Sequence, residues 1–456
     1  MTGRGDHGAR PPWRPEAWST FGPPRDGRSW LASPWLLAAL GLLVRIALIL
    51  ALGPTAPPPP ANDHLVYFDA ARSLSQSWEA WVRPIGQFGY RAPLYFVYLA
   101  GWFRADPEFS YRSAQVVTSL LGVLTALVLF AIGRRLGGAR AARWSLVLRL
   151  FLPCFVVSDT FVMSEPLFAL AFASAVLAFV ALVADPRSIR WSLALGASLA
   201  AAMLTRESAS LLPLVFIAGV LALAGTMRQR LARAGWCALA LALVLLPWAA
   251  RNQHVWGRPL PVAHTAGVNL YIGNNPEATG IWGQFHPVAP PGIAIGTPEA
   301  SAWYARAAAE FVIADPARFL AGGLRKIAWF LFPVFYRDAM QTIYGADSRA
   351  VAWLSVASGI SSALLLALGT LALVRAPRGP AWWIGIAILA YQLALVFVAF
   401  GSPRFRDPVD HLLVLLIATG ADPGSGGRGR AAAAGLAGLA IVLAWGYVAW
   451  VKLGDG

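Results

Sequence analysis

The chain has 456 residues, of which 57% are hydrophobic and only 13% charged, and its mean hydropathy is +0.58. This composition excludes an ordinary soluble globular protein, because soluble domains carry about 25% charged residues. The net charge of +15 could indicate nucleic-acid binding. However, the arginines fall in short links between apolar runs rather than in one patch with exposed aromatic residues. We therefore expect an integral membrane protein that binds membrane lipids and no nucleic acid.

Apolar runs of about 20 residues recur along the chain, and each could cross about 30 Å of hydrocarbon as a helix. The sequence thus predicts an all-α, polytopic fold. Residues 1–30 are predicted to be a disordered basic cytoplasmic tail, and 31–456 a single membrane domain. About eleven transmembrane helices are predicted, at approximately 31–53, 112–133, 143–160, 164–184, 191–206, 208–225, 235–250, 348–374, 381–400, 408–420 and 432–451.

The links between these spans alternate in charge along the chain. Links that carry arginine, such as 133–140 and 227–233, alternate with connections that carry acidic residues. By the positive-inside rule, the arginine links and the amino terminus are cytoplasmic. Two long connections, 54–111 and 251–347, then share the extracytoplasmic side, which we call the outer side.

The first long connection contains a proline run at 57–60, which favours an extended lead-in to a helix that opens at Asn62 and Asp63. On that helix Tyr67 lies four residues after Asp63 and therefore on the same face. Asp69 points elsewhere and, with Arg72 three residues on, is expected to belong to a solvated helix face.

The second long connection contains two helix starts. Thr297 before Pro298, and Asp315 before Pro316, each combine a capping residue with proline at the first helical position. The second helix, predicted from Pro316 to Pro333, mixes basic and apolar residues, as is typical of a helix in the membrane interface.

Three carboxylates are candidates for chemistry near the outer side. Asp63 either caps the loop helix or acts as a general base. Asp159 and Glu165 flank the outer turn between the third and fourth spans. They either stabilise a helix start or, together with Asp63, bind an acceptor or a divalent cation such as Mg²⁺ or Mn²⁺.

Arginines on the outer side are not required by the positive-inside rule. Guanidinium groups are well shaped for phosphate, so these residues could bind a lipid phosphate or pyrophosphate; alternatively, they could reach lipid headgroups. The residues are Arg206, Arg251, Arg404 and Arg406. Arg45 and Arg149 lie within predicted spans, and the sequence assigns them no role.

Several stretches, taken together, resemble the bacterial GT-C membrane glycosyltransferases, particularly the family 39 type that includes protein O-mannosyltransferases and the lipid A aminoarabinose transferase. They follow the family's order from about residue 31 to 420. The stretches are Asp63-x-x-x-Tyr67, Tyr90-Arg-Ala-Pro-Leu-Tyr95, Ser164-Glu-Pro-Leu-Phe168, Leu204-Thr-Arg-Glu207, Pro247-Trp-Ala-Ala-Arg-Asn252, Asn269-Leu-Tyr-Ile-Gly-Asn-Asn-Pro276 with Ala278-Thr-Gly280, and Arg404-Phe-Arg-Asp-Pro408.

The resemblance implies an inverting enzyme of the bacterial cytoplasmic (inner) membrane. Such an enzyme transfers a sugar from a polyprenyl phosphate to a lipid, glycan or protein acceptor on the extracytoplasmic side. Asp63 matches the catalytic aspartate of the first loop and Glu165 the acidic position of the second outer turn. Asp63 and Glu165 would be the ligands if a divalent ion is used. The residues expected to bind substrate are Tyr67, Arg91, Arg206, Arg251, Asn252, Tyr271, Asn274, Arg404 and Arg406.

Two positions depart from the family pattern. His64 stands where the mannosyltransferases often have a second acid, and Glu207 stands where many relatives have proline. The alternative function is a polytopic transporter or lipid flippase. Such proteins usually place ionisable residues at the midplane of interrupted helices, whereas here most charges lie at the outer ends of spans.

Overall fold

The structure is a computed structural model that describes residues 33–52, 63–77, 79–82, 91–280, 292–294, 296–344, 349–376, 378–420, 438, 441 and 443–448. The regular elements of these residues are all helices, so the predicted all-α, polytopic class is confirmed. The predicted tail 1–30 and the proline run 57–60 lie outside the described residues. The extent of the single domain, 31–456, stays a prediction.

The first half of the chain forms the first outer connection and the central helices. In order, its helices are α1 (Pro34–Leu52), α2 (Asp63–Gln76), α3 (Glu79–Val82), α4 (Leu94–Ala105), α5 (Tyr111–Phe151), α6 (Pro153–Asp159), α7 (Glu165–Ala184), α8 (Ile189–Thr205), a 3₁₀ turn (Glu207–Ala209), α9 (Leu212–Ala222) and α10 (Met227–Trp256).

The second half of the chain forms the second outer connection and the helices that follow it. They are α11 (Ala266–Gly273), α12 (Pro298–Ala314), α13 (Pro316–Phe330), α14 (Arg337–Tyr344), α15 (Arg349–Arg375), α16 (Pro380–Val398), a 3₁₀ turn (Pro403–Arg406) and α17 (Asp407–Thr419).

Helix α5 is two helices joined at a glycine pair. Gly138 has φ +72°, a conformation that favours glycine, and the backbone of Gly137 is also non-helical. Val123 and Phe130 before the break share one hydrophobic cluster with Leu150 after it, so the halves fold back on each other. The break thus separates the second and third predicted spans.

Six of the described helices are long and apolar enough to cross a membrane, namely α1, α5, α7, α10, α15 and α16. Helix α8 is apolar but shorter, and α9 has 11 residues, or about 16 Å of helix. The count of eleven spans therefore stays a prediction.

The core is centred on α7 and α8, where aromatic and small side chains alternate. Phe168, Phe172 and Phe179 of α7 are almost fully buried. Gly196 lets α8 approach α10 closely, because a Cβ there would lie 2.0 Å from the carbonyl oxygen of Cys237. Small residues that bring backbones together are the usual means by which membrane helices associate.

The two helix starts predicted in the second outer connection are confirmed. Thr297 accepts a hydrogen bond from the backbone N–H of Ala300, and Asp315 accepts one from that of Arg318. Both helices begin at the proline, as expected, although the second ends at Phe330 rather than Pro333.

The outer connections meet at one end of the bundle. The turn between α6 and α7 contacts two other connections through Glu165. Glu165 forms an ion pair with Arg206 of the α8–α9 turn and another with Arg404 of the loop before α17. The α8–α9 turn contacts the second long connection, since Glu207 accepts a hydrogen bond from the N–H of Thr265. The fold therefore gathers at this end the polar segments that the sequence separates by hundreds of residues.

Candidate active site

Glu165 is the centre of the polar contacts at this end of the bundle. It lies in the first turn of α7, directly before Pro166, where the helix dipole favours a carboxylate. Its Oε1 accepts hydrogen bonds from Nε and Nη2 of Arg404 at 3.0 and 2.5 Å and lies 3.0 Å from Nη1 of Arg206. One buried carboxylate oxygen therefore holds two guanidinium groups from different connections.

Asp63 forms a second pair with Arg91. Nη2 of Arg91 lies 2.5 Å from Oδ1 of Asp63, and 37% of the Asp63 side chain is exposed. The guanidinium of Arg91 also lies over the ring of Tyr67, 5.3 Å from its centre. Asp63 is thus accessible to a ligand, whereas Glu165 is nearly enclosed.

Ser164 connects the two pairs. Its Oγ accepts a hydrogen bond from the Tyr67 hydroxyl at 3.3 Å and one from Nη1 of Arg206 at 3.4 Å. Arg404 lies within electrostatic range of both Asp63 and Glu165. We call the five charged residues Asp63, Arg91, Glu165, Arg206 and Arg404 the outer cluster.

His64 lies beneath the outer cluster and is neutral at physiological pH. Burial, and then the charge of Arg404, lower the pKa of His64 to about 4. Its ring packs edge-on against Phe161 at 5.6 Å. His64 is therefore a packing residue in this protein, although it stands where the mannosyltransferases often have a second acid.

Asp159 belongs to a buried ion cluster rather than to the outer cluster. Its Oδ2 accepts hydrogen bonds from Nε and Nη2 of Arg45 at 2.9 and 2.8 Å, and Arg149 donates to both carboxylate oxygens at 2.8 Å. Gly122 makes room for the carboxylate, since a Cβ there would lie 2.0 Å from Oδ2. The structure thus assigns a packing role to Arg45 and Arg149, and Asp159 is too fully engaged to act as the acceptor or cation site considered from the sequence.

His411 extends this buried ion cluster towards α17. Nε of Arg149 donates to Nε2 of His411 at 2.9 Å, so Nε2 is unprotonated and Nδ1 carries the hydrogen. Nδ1 then donates to the carbonyl oxygen of Asp407 at 2.7 Å. Both nitrogens of the ring are therefore committed.

Arg406 links neighbouring helices and does not face the outer cluster. Its Nε donates to Oδ1 of Asp410 at 2.7 Å, Nη2 donates to Ser362, and Nη1 donates to the carbonyl oxygens of Phe330 and Phe332. The side chain is fully buried. Arg406 therefore ties α17 to α13 and α15, and only Arg404 of this pair is available to a phosphate.

Arg251 and Asn252 lie together at the end of α10 and hold the first outer connection. Nε of Arg251 donates to the carbonyl oxygen of Trp81 at 2.9 Å, and Nη1 donates to Oδ1 of Asn252 at 2.8 Å. Asn252 in turn donates to the carbonyl oxygen of Leu260. These contacts indicate loop positioning for both residues, outside the outer cluster.

Asn274 and Tyr271 lie in the second outer connection, away from the outer cluster. Oδ1 of Asn274 accepts a hydrogen bond at 2.8 Å from the buried Lys326, whose pKa burial lowers to about 8. The Tyr271 ring packs against Tyr304 at 5.4 Å. Asn274 and Lys326 together hold α11 and α13 against the end of α16, because both donate to the carbonyl oxygen of Val398.

A cleft opens beside the outer cluster. It lies between the start of α7, the start of α17, α6 and the segment before α14, and its lining includes His64, Phe161, Glu165, Arg404 and Asp407. Ser164 and Asp407 stand within motifs that carry the family resemblance but were given no role of their own, and Tyr336 was not predicted at all. Only the positive φ of Tyr336, +55°, marks that residue as unusual, and no sequence signal predicts it.

The residues present do not fit a divalent cation between Asp63 and Glu165. Each of these carboxylates already holds a guanidinium, and a second cation would be repelled. Among the residues that the structure describes, no three His, Cys, Asp or Glu side chains are grouped to hold a metal ion.

Comparison with protein families finds a match to part of the chain. Residues 92–250, about a third of the chain, match the family model described as dolichyl-phosphate-mannose-protein mannosyltransferase. This segment contains Glu165 and Arg206. No sequence match is found among curated proteins.

The fold is similar to that of the Archaeoglobus fulgidus oligosaccharyltransferase in its apo form, with a TM-score of 0.53 and 13% identity. The chain has the fold of a GT-C membrane glycosyltransferase. The alignment covers 94% of this chain and 56% of the archaeal one, so the chain spans just over half the length of that relative. The resemblance read from the sequence motifs is thereby confirmed at the level of fold, and the family model supports it over residues 92–250.

Two further solved structures overlap more loosely. They are ArnT from Cupriavidus metallidurans in the apo state, at 17% identity, and the same enzyme bound to undecaprenyl phosphate, at 18% identity. Both have a TM-score of 0.39, and both alignments cover 86% of this chain and 78% of ArnT.

Proposed function

We propose that this protein transfers a sugar from a polyprenyl phosphate to a hydroxyl of a lipid, glycan or protein acceptor, at the extracytoplasmic side of a bacterial cytoplasmic membrane. The observation that carries the proposal is the outer cluster. An accessible carboxylate and three guanidinium groups, contributed by three separate connections, meet at one end of a membrane-embedded helix bundle.

Asp63 is the general base in this proposal. Glycosyl transfer with inversion requires a group that takes the proton of the acceptor hydroxyl as its oxygen attacks the anomeric carbon. Of the two carboxylates in the outer cluster, Asp63 is the more exposed, with 37% of its side chain accessible against 8% for Glu165. Glu165 instead positions Arg206 and Arg404.

The three arginines hold the leaving phosphate. As the bond from the anomeric carbon to the phosphate oxygen breaks, negative charge grows on that oxygen, and preorganised guanidinium groups stabilise it. Arg404 is the best placed, because it is held by Glu165 while 41% of its side chain remains exposed. A phosphate that draws Arg91 towards it also releases Asp63 from its ion pair.

A donor with a polyprenyl chain can reach a site at the end of a membrane helix bundle, because the chain stays in the hydrocarbon while its phosphate lies at the interface. ArnT, which overlaps this chain loosely, binds undecaprenyl phosphate. Helices α12 and α13 support this arrangement, since Ile313, Leu320 and Leu324 expose apolar side chains beside Arg318 and Arg325.

The test is sugar transfer by the purified protein. Wild-type protein in nanodiscs, supplied with undecaprenyl-phosphate sugars and a membrane extract as the acceptor source, should release undecaprenyl phosphate and label an acceptor. Mass spectrometry of envelope glycans and glycoproteins with and without the protein would identify that acceptor. Movement of a labelled solute or lipid across proteoliposomes, without release of sugar from the donor, would favour the transporter or flippase instead.

A further inference from the structure

Two residues that line the cleft beside the outer cluster each have one buried carboxylate oxygen without a hydrogen-bond partner in the described part of the chain. One is Oε2 of Glu165, a residue that is 6% exposed, and the other is Oδ2 of Asp407. Both residues line the same cleft, at the starts of α7 and α17. Buried carboxylate oxygens are normally hydrogen-bonded, so both atoms need a partner that donates.

His411 cannot supply that donor to Asp407. Its Nδ1 lies 3.9 Å from Oδ2 of Asp407, but the hydrogen on this nitrogen is committed to the carbonyl oxygen of the same residue at 2.7 Å. Its other nitrogen accepts from Arg149. Oδ2 of Asp407 therefore has its acceptor capacity unused, and 17% of the Asp407 side chain is exposed at the wall of the cleft.

The walls of the cleft combine these carboxylates with aromatic rings. Phe155, Phe161 and Tyr336 line it, and the Tyr336 ring packs edge-on against Phe161 at 5.4 Å. Tyr336 has φ +55°, a conformation that a bulky residue seldom adopts. Strained backbone of this kind concentrates at ligand sites, where the surrounding structure holds a side chain in place.

The charges around the cleft indicate a neutral ligand. Glu165 faces Arg206 and Arg404, and Asp410 faces Arg406, so guanidinium groups balance these two carboxylates. Burial raises the pKa of Asp407 well above its usual range, which favours the neutral form of this third carboxyl group. A ligand that donates hydrogen bonds without adding charge, and that offers C–H surfaces to aromatic rings, is a sugar ring. Arg404 borders the cleft, so a phosphate held by Arg404 would leave the attached sugar next to it.

We propose that Asp407 is a specificity-determining residue that accepts a hydrogen bond from a hydroxyl of the donor's neutral sugar, bound in this cleft. The inference rests on the proposed function and names a subsite within it. It predicts that Asp407 contributes to binding of the sugar-bearing donor and not to binding of the sugar-free product, undecaprenyl phosphate.

The experiment measures two constants in one assay. The full-length protein in nanodiscs is given undecaprenyl-phosphate mannose, undecaprenyl-phosphate glucose and undecaprenyl-phosphate aminoarabinose, and the donor that the wild type uses best is kept. The KM for that donor and the inhibition constant of added undecaprenyl phosphate are then measured for Asp407→Ala, Asp407→Asn and the wild type. Asp338→Asn, an exposed aspartate in α14, is the matched control.

Asp407→Ala should raise the KM for the donor roughly 10- to 100-fold, and Asp407→Asn, which keeps the volume and one acceptor oxygen, by a smaller factor. The inhibition constant of undecaprenyl phosphate should change less than about threefold from the wild type. If Ala at this position prevents folding, the Asn variant carries the test.

A parallel rise of both constants, or no rise of either, would overturn the assignment, because a distorted or irrelevant site moves the two together. A preference for the aminoarabinose donor that Asp407→Ala abolishes would also contradict it, since the subsite would then bind a cation. Failure of the wild type to use any of the donors would instead refute the proposed function, and this inference with it.

Discussion

Arg404 donates hydrogen bonds from both Nε and Nη2 to a single oxygen of Glu165, at 3.0 and 2.5 Å, across 239 positions of sequence. This contact fixes the guanidinium at the outer end of the bundle while leaving part of it accessible. It also brings the last outer connection onto the start of α7, a helix of the core. The predictions below follow from this arrangement and from the buried ion cluster behind it.

Arg404→Lys should weaken use of the donor. Lysine keeps the charge but loses the fork that holds Glu165 and a phosphate together, so the KM for an undecaprenyl-phosphate sugar should rise roughly tenfold. Arg337→Lys, an exposed arginine in α14, is the control. Steady-state kinetics at limiting donor would make the comparison, and an unchanged KM in Arg404→Lys would place the phosphate elsewhere.

Asp159→Asn should destabilise the fold. The change leaves Arg45 and Arg149 buried without a counter-charge, a loss of about 3–5 kcal/mol in other proteins. Asp185→Asn, in an exposed turn, should have little effect. Thermal unfolding of the purified variants in the same detergent measures both. A stable Asp159→Asn protein with low transfer activity would mean that Asp159 takes part in the chemistry after all.

Stability should fall as the pH drops from 6.5 towards 4, in part through His64. The pKa of His64 is about 4 in the folded protein and 6.5 when unfolded, so within this window the unfolded state binds more protons. The free energy of unfolding therefore falls by up to about 3 kcal/mol on acidification, because each pKa unit of difference between the two states is worth 1.36 kcal/mol. His64→Gln should show a shallower dependence of melting temperature on pH. His264, whose pKa burial also lowers to about 4, should keep the remaining dependence.

The outer cluster should lie on the extracytoplasmic side. A variant without Cys154 and Cys237, both of which are buried, can carry a single cysteine at Glu277, in the second outer connection, or at Asp185, in an arginine-bearing link. An impermeant thiol reagent should label intact cells at position 277 and label position 185 only after the membrane is broken. The reverse pattern would put the site on the cytoplasmic side and contradict the topology.

The sequence located the helices and several of their starts, because apolar runs and capping residues act locally. Thr297 and Asp315 correctly predicted the starts of α12 and α13, since a capping side chain bonds to the backbone only three residues further along the chain. Asp63 and Glu165 were singled out from the position of a carboxylate beside a span, and the structure places both in the outer cluster.

The partners of these residues could not be predicted. Arg404 and Arg406 stand two positions apart in the same motif, yet one faces the outer cluster and the other is buried against Phe330 and Asp410, and only the packing of the 3₁₀ turn decides which. The positions of Arg45 and Arg149 inside predicted spans indicated that each has a partner, since a charge inside a span needs one, but did not identify that partner. Their shared partner Asp159 was assigned to the outer turn because nothing in a single sequence shows which helices are neighbours.

The central claim is that Asp63 takes the proton of the acceptor during sugar transfer. Asn caps a helix about as well as Asp, so Asp63→Asn should preserve the fold. The matched control is Asp69→Asn, which changes an exposed aspartate on the same helix. Purified variants should be compared for melting temperature, binding of undecaprenyl phosphate and turnover of a lipid-linked sugar.

Asp63→Asn should lower turnover roughly 10²- to 10⁴-fold, with melting temperature and undecaprenyl phosphate binding close to those of the wild type, while Asp69→Asn should transfer sugar normally. Near-normal turnover by a folded Asp63→Asn protein would contradict the account and leave Asp63 as a helix cap.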